Sequence, residues 1–270
     1  MNTNFNNKTI LVTGGTGSFG KKFIRYVLNN YNVKKILVFS RDEFKQFHMK
    51  DEFNSNNKLR FLIGDVRDEK RLEFACRDVD VIIHLANVAN DPAVELNPTM
   101  SWEINVLAGQ QLIDKAKRAN IKQFIFASSG SVYGVKKEDQ VTEDLSLVPI
   151  STYNKTKMVA ERVFMSYSPY MKVHCVRPAT VCGYSERMRL DVAVNLLTMQ
   201  ALEKGVITVL GGNQIRPNIH IDDITDLYLF FIGISYLFSA LPFLLVIIQL
   251  LNNTASRGIL SLPGWYPKSK

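Results

Sequence analysis

Cysteine is scarce in this chain. Only Cys76, Cys175 and Cys182 are present, and no two stand at a metal-chelating spacing. That excludes a disulfide scaffold and a cysteine-built zinc site, so no metal is expected. The three read as reduced thiols, Cys175 in a strand and Cys182 near the mouth of a site. No secretory leader is expected either, because Met1 to Lys8 is polar, and a cytoplasmic location is expected. No internal repeat is present. Lys and Arg number 33 against 25 Asp and Glu, but this +8 excess is spread along the chain. No basic stripe interleaved with aromatics exists, so nucleic acid is not an expected partner; the balance suits small anionic ligands. Apolar residues are plentiful, at 46% of 270, enough for a large core in one or two domains.

The N-terminal segment has a defined order. Thr9 to Thr13 is a β-branched, apolar run, followed directly by Gly14-Gly-Thr-Gly-Ser-Phe-Gly20 and then an amphipathic helical pattern from Lys21 to Leu28. Strand, glycine turn and helix suit a dinucleotide pyrophosphate. Glycines let the backbone approach closely, and a helix N-terminus offers amides and a partial positive charge. The spacing, Gly14-x-x-Gly17-x-x-Gly20, is one residue wider at the front than Gly-x-Gly-x-x-Gly. Further buried strands are expected at Lys35 to Phe39, Leu59 to Ile63, Val79 to Leu85, Gln123 to Ala127 and Met171 to Val176. Helical patterns separate them, the clearest from Asn97 to Ala119. The alternation predicts the α/β class: a doubly wound parallel sheet of Rossmann type, with ligands at the carboxyl ends of the strands.

Residues just after each strand are therefore the candidates. After the second strand stand Ser40, Arg41 and Asp42. A small hydroxyl and a guanidinium suit the 2′-phosphate of NADP, whereas Asp42 would suit the ribose of NAD; NADP is favoured, with NAD kept open. Asp65 and Val66 follow the third strand, where they are placed to hold an adenine edge. His84 is assigned no catalytic role. Ser128-Ser-Gly-Ser131 follows the fifth. Tyr153 and Lys157 share one face of a predicted helix, so the ammonium can sit beside the phenol. A free phenol, with a pKa near about 10, is a poor base at neutral pH; a nearby cation is expected to lower it.

In order, Thr13-Gly-Gly-Thr-Gly-Ser-Phe-Gly20, Asp65-Val66, Ser128-Ser-Gly-Ser-Val-Tyr-Gly134, Tyr153-Asn-Lys-Thr-Lys157, Arg177-Pro178 and Arg216-Pro-Asn-Ile-His-Ile-Asp222 resemble the motifs of an extended short-chain dehydrogenase/reductase. The branch resembled is the nucleotide-sugar epimerase/dehydratase one, over about residues 8–232. The resemblance implies that Gly14, Gly17, Ser18, Phe19 and Gly20 hold the cofactor pyrophosphate, with Ser40, Arg41, Asp65, Val66 and Pro178 along the rest of it. It makes Tyr153 the general base and acid, and has Lys157 bind the nicotinamide ribose. Ser129 then bonds the reacting sugar oxygen, Asn105 orders the site, and Arg216 clamps the nucleotide diphosphate. Dehydrating members carry an acid where this chain has Gly130, which cannot protonate a leaving hydroxyl. Phe39-Ser-Arg-Asp-Glu-Phe-Lys-Gln46, by contrast, resembles the inverting dehydratases. The implied function is epimerisation of a UDP-sugar, at C4, through a transient ketone. A 4-keto reductase, a 4,6-dehydratase and an inactive cofactor-binding remnant are the alternatives. A homodimer built on the helices near 97–119 and 151–167 is also implied.

Beyond about residue 232 the resemblance ends. The sequence divides into a cofactor domain, 1–180, a partial substrate region, 181–226, an apolar segment, 227–251, and a polar tail, 252–270. The stretch Leu227 to Leu251 carries no charge. Three readings apply to it: an aberrant, frame-shifted tail, a membrane anchor, or a buried helix pair broken near Pro242.

Overall fold

The computed structural model describes residues 5–138, 141–186, 188–212, 216–234 and 246–247. Six strands form its centre: β1 (Thr9–Thr13), β2 (Lys35–Ser40), β3 (Leu59–Ile63), β4 (Val81–His84), β5 (Gln123–Ala127) and β6 (Lys172–Arg177). All pair in parallel in the order β3-β2-β1-β4-β5-β6. The sheet is buried on both faces, so β1 has no exposed residue and reads as one apolar run. Leu11, Ile82, Phe124 and Val173 point into one core layer. Their neighbours Ile10, Val12, Ile83 and Ile125 point into the other.

Helices cover both faces. In chain order they are α1 (Ser18–Asn30), α2 (Glu43–Glu52), α3 (Glu69–Ala75), α4 (Asp91–Leu96), α5 (Pro98–Trp102), α6 (Ala108–Arg118), α7 (Thr152–Met165), α8 (Ala193–Lys204) and α9 (Ile221–Ile234). The single helix expected over Asn97 to Ala119 is interrupted. A π-helical turn at Glu103–Leu107 joins α5 to α6 and inserts an extra residue into the turn. Two short strands, β7 (Thr180–Cys182) and β8 (Asn218–His220), pair in parallel beside the main sheet. A two-residue strand, β9 (Val246–Ile247), lies parallel to the end of β6. The chain runs outward from β1 to β3, then returns to β4 and runs the other way. The crevice at the carboxyl ends of β1 and β4 is thus the topological switch point.

Residues 227–234, the start of the uncharged segment, belong to α9; Tyr228, Leu229, Phe231 and Ile232 face the protein core, and Phe230 is exposed. Tyr228, Phe231 and Ile232 are buried in the layer that holds Phe23 and Val27 of α1. The carbonyl of Phe231 accepts a hydrogen bond from Gln123 Nε2 at 2.9 Å, and its ring stacks on His174 at 4.8 Å. Among the described residues no helix is long and apolar enough to cross a membrane. The rest of the proposed anchor, the break near Pro242 and the polar tail lie outside the described residues, β9 excepted. Cys76, Cys175 and Cys182 are free thiols; Cys182 is buried in β7, with Sγ 3.5 Å from the Ile219 carbonyl oxygen.

Candidate active site

The glycine turn joins β1 to α1 at the switch point. Gly14 has φ +67°, and a Cβ there would come within 2.8 Å of the Ala86 nitrogen, so only glycine fits without strain. A Cβ on Gly20 would meet the Gly15 carbonyl oxygen at 2.5 Å, which lets α1 pack directly on the turn. Gly17 caps α1 with no side-chain hydrogen bond, and a Cβ there would touch only the Gly14 oxygen at 3.4 Å. The first turn of α1, from Ser18, therefore opens on a cradle of the kind a pyrophosphate fills. The Phe19 ring faces the core, 4.8 Å from Tyr228, so its contribution to the cradle is its backbone.

A second cluster lies at the ends of β2 and β3. The Thr16 and Ser40 hydroxyls are 3.2 Å apart, and the exposed Arg41 guanidinium stands 3.9 Å from the Asp65 carboxylate. Asp42 does not present a bare carboxylate: it accepts the Lys45 amide at 3.0 Å as the cap of α2 and pairs with the Lys45 ammonium at 2.5 Å. Asp65 is gripped by Arg67, whose Nε and Nη2 donate at 3.0 and 2.8 Å, and this holds its carboxyl below the ordinary aspartate value. Val66 is buried in the core layer with Leu72.

The third cluster is the chemical one. Ser151 caps α7 by accepting the Asn154 amide at 3.2 Å, which starts the helix that carries Tyr153 and Lys157. Lys157 is buried and donates to the Ala127 carbonyl at 2.7 Å; its Nζ stands 5.8 Å from the Tyr153 ring centre. Burial pushes this lysine down to about 7, and the Glu161 carboxylate opposes that fall. The lowered phenol expected from the lysine charge is not found. Burial raises Tyr153 to about 12, a hydrogen bond with the Ser129 hydroxyl works against this, and Asp91 and Arg189 act in opposite senses as nearby charges. Ser129 and Ser131 hydroxyls are 2.7 Å apart, and Ser131 donates to Asn154 Oδ1 at 2.5 Å. The Pro178 carbonyl accepts the Gly130 amide at 2.9 Å, which seats the serine turn against the end of β6.

Asn105, held in the π-helical turn, accepts the Val88 amide at 2.7 Å. Its Nδ2 donates to the Val88 carbonyl and to Thr156 Oγ1, both at 3.1 Å. It ties the loop after β4 to α7. His84 is buried and hydrogen-bonded through Nδ1 to Thr13 Oγ1 at 2.7 Å, and burial pushes it down to about 3. Arg216 precedes β8; its guanidinium is exposed and makes no hydrogen bond or ion pair among the described residues. Ser129, Tyr153, Lys157 and Pro178 are thus brought together, and Ser40, Arg41 and Asp65 form their own group, while Arg216 joins neither. Sequence reasoning passed over Thr16, Asn154 and Arg189. Asn154 lay within the Tyr-x-x-x-Lys motif, but nothing in the spacing of Arg189 marks it.

A sequence profile of the NAD-dependent epimerase/dehydratase family matches residues 10–234. The chain belongs to this family. Within it, a UDP-N-acetylglucosamine 4,6-dehydratase (inverting) of Campylobacter jejuni is 40% identical over 162 residues, 60% of this chain and 44% of that protein. A UDP-glucose 4-epimerase of Rickettsia conorii is 30% identical over 235 residues, 84% of this chain and 63% of that protein. The solved UDP-glucuronic acid 4-epimerase of Bacillus cereus, in complex with UDP-glucuronic acid and NAD, superposes with a TM-score of 0.68 at 28% identity. That match covers 80% of this chain and 70% of the Bacillus protein. The chain therefore spans 44% to 63% of the length of these two curated relatives. Members of this epimerase/dehydratase family are NAD(P)-dependent enzymes of nucleotide-sugar chemistry, and the Rossmann-type sheet is the fold they share with this chain.

Proposed function

We propose that residues 1–180 are the cofactor domain, and 181–226 part of the substrate region, of a nucleotide-sugar epimerase that inverts C4 of a UDP-sugar. The observation that carries this reading is the meeting of Ser129, Tyr153 and Lys157 beside the serine turn, with Gly130 where a dehydrating acid would stand. The cradle of Gly14, Gly17, Ser18, Phe19 and Gly20 fits a dinucleotide pyrophosphate. Lys157 would hold the nicotinamide ribose, and Pro178 would lie beside the nicotinamide. A bound oxidised nicotinamide supplies a hydride acceptor and a positive charge that favours phenolate. Tyr153 Oη takes the proton from the sugar hydroxyl and later returns it, and Ser129 donates to the same sugar oxygen. The ketone turns over between the two steps, so C4 inverts with no net redox change. Arg216 would bind the substrate diphosphate, as a planar fork of donors suits.

NADP is the cofactor favoured. The Asp42 carboxylate is engaged as a helix cap and by Lys45, so it is poorly placed for ribose hydroxyls, while Ser40 and Arg41 remain for a 2′-phosphate. One observation favours a second reading, inverting 4,6-dehydration: the 40% identity to the Campylobacter dehydratase over 162 residues. The two separate by product. The chain is incubated with UDP-glucose, UDP-N-acetylglucosamine or UDP-glucuronate and either cofactor, and the sugar is followed by NMR and mass spectrometry. An epimer of unchanged mass supports epimerisation, and loss of one water supports dehydration. Tyr153→Phe should lower turnover by about 10²–10⁴-fold with cofactor affinity little changed. Near-normal turnover in that variant would sink the role given to Tyr153.

A further inference from the structure

Behind the serine turn lies an ion pair that the proposed chemistry does not use. Glu161, one helical turn beyond Lys157, is buried at 2% exposure, and Arg177, the last residue of β6, at 4%. Arg177 Nε donates to Glu161 Oε1 at 3.0 Å and to Oε2 at 3.1 Å, and Nη2 donates to Oε2 at 2.6 Å. The same carboxylate accepts the Ser128 hydroxyl. The same guanidinium donates through Nη1 to the Tyr133 hydroxyl, and its carbon lies 4.9 Å from the centre of the Tyr133 ring. Ser128 and Tyr133 bracket the turn that carries Ser129. Two main-chain bonds run in parallel, from the Ser128 amide to Val176 at 2.8 Å and from the Gly130 amide to Pro178 at 2.9 Å.

A pair this deeply buried is poor value for stability alone. Desolvating two charges offsets their attraction, and apolar side chains of similar volume are often as stable. What the pair adds is direction. A fork of donors and a two-oxygen acceptor have defined geometry, whereas apolar contacts slide. We propose that Glu161 and Arg177 are positioning residues that pin both ends of the 128–133 turn and so set where the Ser129 hydroxyl stands relative to Tyr153. This rests on the reading of Ser129 and Tyr153 above.

Glu161→Gln or Arg177→Met would strand a buried charge and risks unfolding the chain. The test therefore uses Ser128→Ala and Tyr133→Phe, each of which removes one strut and leaves the ion pair whole. Hydrogen exchange is read at the amides of residues 129–132, and turnover of the epimerised UDP-sugar is measured on the same preparations. The expected result is exchange accelerated about tenfold in the turn and not in β1 or β4. It is accompanied by kcat lowered about 10- to 100-fold with KM within about twofold, as misplacement of a reacting group costs. Unchanged exchange, or loosened exchange with wild-type kcat, would overturn the proposal. Should the unmodified chain turn over no UDP-sugar, the epimerase reading fails by itself, and the exchange result alone decides whether the pair holds the turn.

Discussion

In the proposed reading a single guanidinium, that of Arg41, carries the preference for NADP. Arg41 is exposed and its Asp65 contact, at 3.9 Å, is loose, so it can swing to a phosphate at little cost. Arg41→Ala should weaken NADP binding by about tenfold and NAD binding by less than about twofold, read by fluorescence titration of both reduced cofactors. Equal losses would return the choice to NAD. The phenol illustrates the same scale from the other side. Tyr153 and Lys157 were legible as a pair from their spacing, but spacing does not reveal burial. Burial is what drives the phenol up to about 12 and the ammonium down to about 7, so neither holds its charge cheaply without a further partner.

At the level of elements, the glycine turn and α1 act as one unit. Gly20 sits in the first turns of α1 with no room for a methyl group, because the Gly15 carbonyl oxygen would lie 2.5 Å from it. Gly20→Ala should force α1 away from the turn, at a cost of about 1–3 kcal/mol. A lowered urea midpoint together with at least about tenfold weaker binding of either cofactor would bear this out. Unchanged binding would mean that the cradle does not depend on how α1 is seated. The π-helical turn is the counterpart on the other face. An unbroken helix through 97–119 would rotate Asn105 away from Val88 and Thr156, so the bulge is what lets one side chain tie a loop to α7.

Across the whole molecule, each face of the sheet buries one histidine in its core layer. His84 packs against Phe124, Phe126 and Phe164, and His174 against Phe231. Neither ring nitrogen of His174 has a partner among the described residues. Burial is the main force that pushes His84 down to about 3 and His174 down to about 4. An unfolded histidine titrates near about 6.5, so between that pH and the folded values the unfolded chain binds more protons. The contribution of these two histidines should thus be full above about pH 6.5 and be lost as the pH drops toward 4, by up to about 1.4 kcal/mol per pH unit for each histidine. Urea midpoints measured from pH 7 to pH 5 check this. His174→Leu should make the slope shallower by about half, and an unchanged slope would remove His174 from the account.

Much of this protein is decided locally. Strand runs buried on both faces are apolar throughout, tight turns need glycine, and one face of a helix repeats every three or four residues; all three leave marks along a sequence. The parallel sheet, the glycine cradle at Gly14 to Gly20 and the Tyr153–Lys157 pair were therefore written in order and spacing. What needed the folded chain was everything set by residues distant in sequence. Arg177 meets Glu161 and Tyr133 from another element, Asp42 turns out to cap a helix, and Tyr228, Phe231 and Ile232 pack in the layer of α1 and β5. Hydropathy reports that such a segment avoids water, but only its tertiary neighbours determine where it is buried. Charge states follow the same rule, since a pKa depends on the solvent and the partners that folding leaves around the group.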